Sequence, residues 1–219
     1  MTSGHRSRRK GSVVADRIVS SNLRRAVQTA TAISKATGIP VSDKTDGLHP
    51  WHLGEMEGQP TDKVLKRIND LVTKRPNERV PGRGPKSTAE GEPFNGFKRR
   101  FLGTMSKLMK HHETNPNDRT IAVSHYRGGK LTEAWARKGF PKDFSIDTPH
   151  MTGTGSPPGS VQHLRKSAGG KWKLSPADMK HGGRLKPGIY LVRHGSTSWN
   201  QENGGGEPDE IESPGPVEK

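Results

Sequence analysis

Ile189-Tyr-Leu-Val-Arg-His-Gly-Ser-Thr-Ser-Trp-Asn200 opens with the most apolar short run in the chain and passes, after Val192, straight into two basic side chains and a glycine. Four consecutive large residues without helical spacing read as a strand buried on both faces, as in the middle of a parallel sheet. Arg193 and His194 then stand at its carboxyl end. Two other segments behave alike. Arg17-Ile-Val-Ser20 is a short β-branched run followed by a helix with Arg24 and Arg25 in its first turn, and Arg119-Thr-Ile-Ala-Val-Ser124 runs into His125. In open parallel sheets ligands bind beyond the carboxyl ends of the strands, so Arg193, His194, Arg25 and His125 are expected to converge. Two guanidiniums and two imidazoles at one point suit an anion, and planar arginine forks match phosphoryl oxygens.

The remaining elements follow from periodicity. Asn22 reads as the N-cap of a helix carrying Leu23, Ala26, Val27, Ala30 and Ile33, which Gly38 closes. Pro60-Thr61-Asp62 opens a second helix with Val64, Leu65, Ile68, Leu71 and Val72, ending before Pro76. A third carries Phe94, Phe97, Phe101, Met105, Leu108 and Met109, a stripe that reads as core. Val80 to Gly91, with its prolines and glycines, reads as a loop. A short helix follows His125 through Trp135, and Ser160 to Arg165 pairs with Lys171 to Leu174 across Gly169-Gly170. Strands alternating with helices predict an α/β three-layer sandwich, a mostly parallel central sheet with helices on both faces.

The chain has 219 residues, with 37 Lys and Arg against 22 Asp and Glu, a net charge of +15. Residues 199–219 hold six acids and one base, so the rest carries +20. The expected organisation is one domain over residues 1–200 and an acidic, Gly/Pro-rich disordered tail over 201–219. The positive remainder predicts weak, non-specific polyanion binding, since no zinc-finger spacing or aromatic RNA-binding motif accompanies it. With no cysteine, disulfides and thiolate chemistry are excluded. His49 with His52, or His111-His112, could start a metal site, but no carboxylate sits at a ligand spacing, and no metal or other cofactor is expected. Neither a membrane-spanning run nor a signal peptide is visible, which predicts a cytoplasmic protein without membrane partners.

Ile189 to Asn200 resembles the Arg-His-Gly motif of the histidine phosphatase superfamily, the phosphoglycerate mutase-like proteins. Ser20 to Ala30 (Ser-Ser-Asn-Leu-Arg-Arg-Ala-Val-Gln-Thr-Ala) resembles that family's second motif, Val123-Ser124-His125 its second histidine, and Gly91-Glu92, here followed by Pro93, its Gly-Glu-Ser segment. The resemblance implies hydrolysis of a small phosphomonoester, without metal, through a phosphohistidine on His194. Arg193, Arg25 and His125 would hold the non-bridging oxygens, with Ser20, Gly195 and Asn200 as further substrate-binding residues. A mutase is less well matched, because the extra segments such an enzyme needs are missing.

Two departures from the family pattern stand out. The usual general-acid glutamate is replaced by Pro50, which has no proton to give, so either Glu55 or Glu57 is expected to approach His194, unless the leaving group needs no acid. A protein that kept the pocket but lost turnover, binding phosphate or a polyanion, is the rival reading. The second departure is order: the Arg-His-Gly strand opens the family's chains and comes near the end of this one, while Met1-Thr2-Ser3-Gly4-His5 resembles the stretch that normally follows it. The resemblance implies a circular permutation, with strand 189–192 between 120–124 and 160–165, and 17–20 beyond 120–124. His194 is expected at a strand end within reach of solvent.

Overall fold

The computed structural model describes residues 15–84, 90–143, 156–177 and 185–195. Six strands are present among them: β1 (Arg17–Ser20), β2 (Val41–Lys44), β3 (Arg119–Ser124), β4 (Val161–Lys166), β5 (Trp172–Pro176) and β6 (Gly188–Arg193). Four helices accompany them: α1 (Arg24–Thr37), α2 (Thr61–Thr73), α3 (Phe94–Thr114) and α4 (Tyr126–Arg137). The sheet order is β2-β1-β3-β6-β4-β5. β2, β1, β3 and β6 are mutually parallel, whereas β4 runs antiparallel to both β6 and β5. The fold is therefore α/β with a mixed, mostly parallel sheet, and β6 lies between β3 and β4 with β1 beyond β3, the expected arrangement.

Alternation along the central strands divides the core in two. Ile189 and Leu191 of β6, Ala122 of β3 and Val19 of β1 face the layer of α2, α3 and α4, where Phe94, Phe97, Phe101, Leu102 and Met105 are fully buried. Tyr190, Val192, Ile121, Val123 and Ile18 face the opposite layer, where α1 contributes Ala26 and Ala30. Each large apolar side chain removed from water contributes about 1.5–3 kcal/mol, so the doubly buried β6 is a main source of stability. Phe101 also sets how closely α3 and α4 approach. A Cβ at Gly128 would lie 2.4 Å from its ring, so α4 reaches that close only with glycine there.

Two local readings are corrected. Leu23, not Asn22, occupies the N-cap of α1, and no side chain caps that end. The Asn22 amide is drawn away to Asp46 and His49. β2 went unread because Val-Ser-Asp-Lys has a single apolar residue and lies exposed at the sheet edge. Gly38 does close α1 in the left-handed conformation, with φ of 74°. The expected tail at 201–219 and the segment at residues 1–5 lie outside the described residues. Among those residues no helix is long and apolar enough to cross a membrane.

Candidate active site

The three parallel strands β1, β3 and β6 stop at nearly one level, because Ser20 is in register with Val123, Val123 with Val192, and Ser124 with Arg193. Ladder hydrogen bonds continue one residue further. Ser21 N donates to Val123 O (2.9 Å) and His194 N to Ser124 O (3.0 Å), so the backbone that carries the next side chains is already fixed. His125 and His194 consequently face each other, ring centroids 5.0 Å apart and planes inclined by 61°. Arg25, in the first turn of α1, directs Nε at Nδ1 of His125 (3.3 Å), and Ser21 Oγ lies 2.9 Å from the other ring nitrogen, Nε2. Gly195 is moored to the same helix, its N–H donating to Thr29 Oγ1 (3.1 Å), and that hydroxyl donates to Arg25 O (3.1 Å).

Both imidazoles are buried, His194 at 5% exposure and His125 at 4%. Burial, reinforced by the charge of Arg25 and partly opposed by the bond to Gly195, pushes the pKa of His194 down to about 4. Burial also holds His125 well below the ordinary histidine range, helped by the charges of Arg25 and Arg100. Near neutral pH both rings are uncharged. His194 Nδ1 lies 2.8 Å from the Gly195 carbonyl, which can only accept, so Nδ1 carries the hydrogen and Nε2 keeps its lone pair. An uncharged imidazole with a defined lone pair is a competent nucleophile.

Arg193 takes a different direction. Its guanidinium donates to the Ser156 carbonyl and lies 5.1 Å from the ring centre of Tyr126. With His125, Ser160, Gln162 and Tyr126 it lines a narrow cleft. Burial lowers its pKa from the ordinary arginine value. Of the four basic residues expected to converge, Arg25, His125 and His194 meet, whereas Arg193 turns to Ser156 and Tyr126 and shares its cleft with His125 alone of the three.

A family model described as the histidine phosphatase superfamily (branch 1) matches residues 6–149. The chain belongs to that superfamily. No curated protein matches the chain. The matched span holds Arg25 and His125 and ends before Arg193-His194-Gly195, which the sheet nevertheless brings to them.

Other residues singled out from the superfamily resemblance are placed less simply. The Ser20 hydroxyl is buried and donates to the Ser21 carbonyl (2.7 Å), and it is Ser21 whose hydroxyl meets His125. Asn200 lies outside the described residues. Glu55 is half exposed and paired with Arg67 (2.9 Å), while Glu57 is buried and accepts from Leu53 N (3.0 Å). These bonds brace the 53–57 turn against α2 and against itself. His194, expected within reach of solvent, is instead nearly covered. Among the described residues no three His, Asp or Glu side chains gather as a metal site.

Sequence reasoning considered His49 only as a start for a metal site and missed the buried network it joins. His49 is buried at 4% exposure, its Nε2 bonded to Asn22 Oδ1 and 3.6 Å from Asp46 Oδ1, while Asn22 Nδ2 bonds Asp46. Arg100 holds the loop that carries it, donating to the carbonyls of Asp46, His49 (3.4 Å) and Pro50 (2.9 Å) and pairing with Glu92. Glu92 also accepts from His52 N (3.3 Å). The Gly91-Glu92 segment thus has a visible task in shaping the Asp46 to Pro50 loop and the His52 amide that follows it. The signal in the sequence was the run Asp46 to His49, whose partner Asn22 is 27 residues distant.

Proposed function

We propose that this member of the superfamily is a phosphatase that hydrolyses a small phosphomonoester in two steps, without a metal. Nε2 of His194 attacks phosphorus, the bond to the leaving oxygen breaks, and water then attacks the phosphohistidine to release phosphate. Arg25, Arg193 and His125 hold the non-bridging oxygens, and Gly195 fixes the nucleophile's tautomer. Phosphoryl transfer is mainly positioning and charge stabilisation, which a preset cluster of donors supplies. The observation that carries this reading is the 5.0 Å approach of His125 and His194 beside Arg25. The circular permutation belongs to the same proposal. It accounts for a family match over residues 6–149 that leaves the strand of His194 unmatched, although that strand lies mid-sheet. The positive charge outside residues 199–219 supports weak polyanion attraction as a secondary property.

The test is turnover of para-nitrophenyl phosphate with and without a chelator, and, with radiolabelled phosphate ester, a quench in alkaline detergent followed by isolation of labelled protein at alkaline pH. Turnover that survives chelation and a base-stable, acid-labile phosphoryl group on His194 are expected. The rival, a binder without turnover, is favoured by the engagement of Glu55 with Arg67 and of Glu57 with Leu53. It predicts anion binding with no released nitrophenol.

A further inference from the structure

We propose that His49 is the proton donor to the leaving alcohol, occupying the place beside Pro50 where the resembled family supplies a glutamate. This rests on the phosphatase reading and adds the residue that reading lacks.

The geometry comes from two pairs of neighbouring residues. Ser21 and Asn22 are consecutive, about 3.8 Å apart along the chain. The first bonds His125 and the second bonds His49. Leu48 and Ser124, the residues before those two histidines, are bonded to each other, Ser124 Oγ donating to Leu48 O (2.8 Å). The loop entrance is fixed as well, since Thr45 N donates to Ser20 O (2.8 Å). His49 and His125 are therefore set side by side on one floor made from the ends of β1 and β3. The His49 ring meets Asp46 at 3.6 Å, an ion pair when the imidazole is protonated, and the Asn22 amide bridges the two. A histidine with an acidic partner and a defined tautomer is the usual equipment of a general acid. The carboxylates of Glu55 and Glu57 are engaged with Arg67 and the Leu53 amide instead.

In the first step the His194 lone pair forms the P–N bond as the P–O bond to the alcohol breaks. The His49 imidazolium gives its proton to that oxygen, and the alcohol leaves neutral. In the second step water forms a P–O bond, the P–N bond breaks, and His49 takes the proton that water loses. One ester and one water become one alcohol and one phosphate.

A general acid matters for poor leaving groups and little for good ones. The experiment compares wild type and His49→Asn on glycerol phosphate and on para-nitrophenyl phosphate. The expected result is that the ratio of kcat/KM, aryl over alkyl, rises about a hundredfold in the variant. An unchanged ratio, whether both activities fall together or neither falls, overturns the assignment while the phosphatase reading stands. A wild type that turns over neither ester overturns the phosphatase reading, and the proton donor with it. If His49→Asn does not fold, as judged by circular dichroism, Asn22→Ala and Asp46→Asn read the same ratio. A rise in either supports the role, and no change in both removes it.

Discussion

Arg25 Nε donates to Nδ1 of His125 over 3.3 Å, although the two residues are a hundred positions apart in the chain. The acceptor nitrogen is therefore unprotonated, and the hydrogen of His125 sits on Nε2 facing the Ser21 hydroxyl at 2.9 Å. Two groups assigned to one phosphate are thus bonded to each other, which works only because His125 is neutral. An incoming dianion would draw Arg25 to itself and favour a proton on the nitrogen that Arg25 leaves. Binding of tungstate, which carries no titrating proton near neutrality, should take up a proton at pH 7. Calorimetry in buffers of different ionisation enthalpy measures this, and heats independent of buffer would show that His125 stays neutral.

The depressed histidines also tie stability to pH. His194 falls from an ordinary 6.5 to about 4 on folding, so between those values the unfolded chain binds a proton that the folded chain refuses. Its contribution is complete above pH 6.5 and is lost as pH falls towards 4, by about 1.4 kcal/mol per unit. His125 acts in the same direction. Urea unfolding at a series of pH values should give a shallower acid decline for His194→Asn than for wild type. Parallel curves would contradict the burial argument.

Arg25 and Arg24 are adjacent in sequence but differ in position, since Arg25 reaches the site and Arg24 is exposed on the outer side of α1. Removing one positioned donor to a developing oxyanion costs about 3 kcal/mol, a few hundredfold in rate. Arg25→Ala should show that loss in kcat/KM, while Arg24→Ala changes it by less than about threefold. Equal effects would mean that general positive charge, not placement, is at work.

Arg100 connects stability with the site. Its side chain is 23% exposed and that of Glu92 17%, and between them they hold three carbonyls of the Asp46 to Pro50 loop and the His52 amide. Arg100→Ala leaves the Glu92 carboxylate largely buried beside unpaired carbonyls, at a cost of about 2–3 kcal/mol. Denaturant unfolding checks the loss. Arg100→Ala with Glu92→Gln should recover part of it, because no buried charge is then stranded.

The strands and the α3 stripe were legible because burial imposes a period on the residues themselves, as in Ile189 to Val192 and in Phe94 to Met109. The cluster of Arg25, His125 and His194 was legible because parallel strands present their ends on one side. What escaped depends on distant partners. Asn22 has the chemistry of a cap, but Asp46 and His49 compete for its amide and win. Glu55 and Glu57 are equivalent on paper, and only the fold reveals that one turns to Arg67 and the other to the Leu53 amide. His49 is an unremarkable loop histidine until the β1–α1 turn is brought against it. The burial of His194 was missed for the same reason, because a strand end reads as open until the His125 ring and the α1 residue that binds Gly195 are packed beside it.

The proposed permutation makes a prediction about connectivity. β6 is held by register, with six residue pairs to β3 and four to β4, and not by its order in the chain. Cutting the chain between Ala177 and Leu185 and joining residue 200 to residue 1 by a short Gly-Ser linker would place the His194 strand first and omit 201–219. Loop-closure entropy changes only slowly with length, so a new join costs little if the ends it links are near one another. The rearranged protein should fold with the same sheet and keep kcat/KM on para-nitrophenyl phosphate within about tenfold of the parent, since every hydrogen bond to Ser21, His125 and His194 is preserved. Circular dichroism, unfolding midpoint and turnover decide the matter. A rearranged chain that folds but lacks activity would mean that the present connection contributes to the site, and one that fails to fold would count against a simple change of chain order.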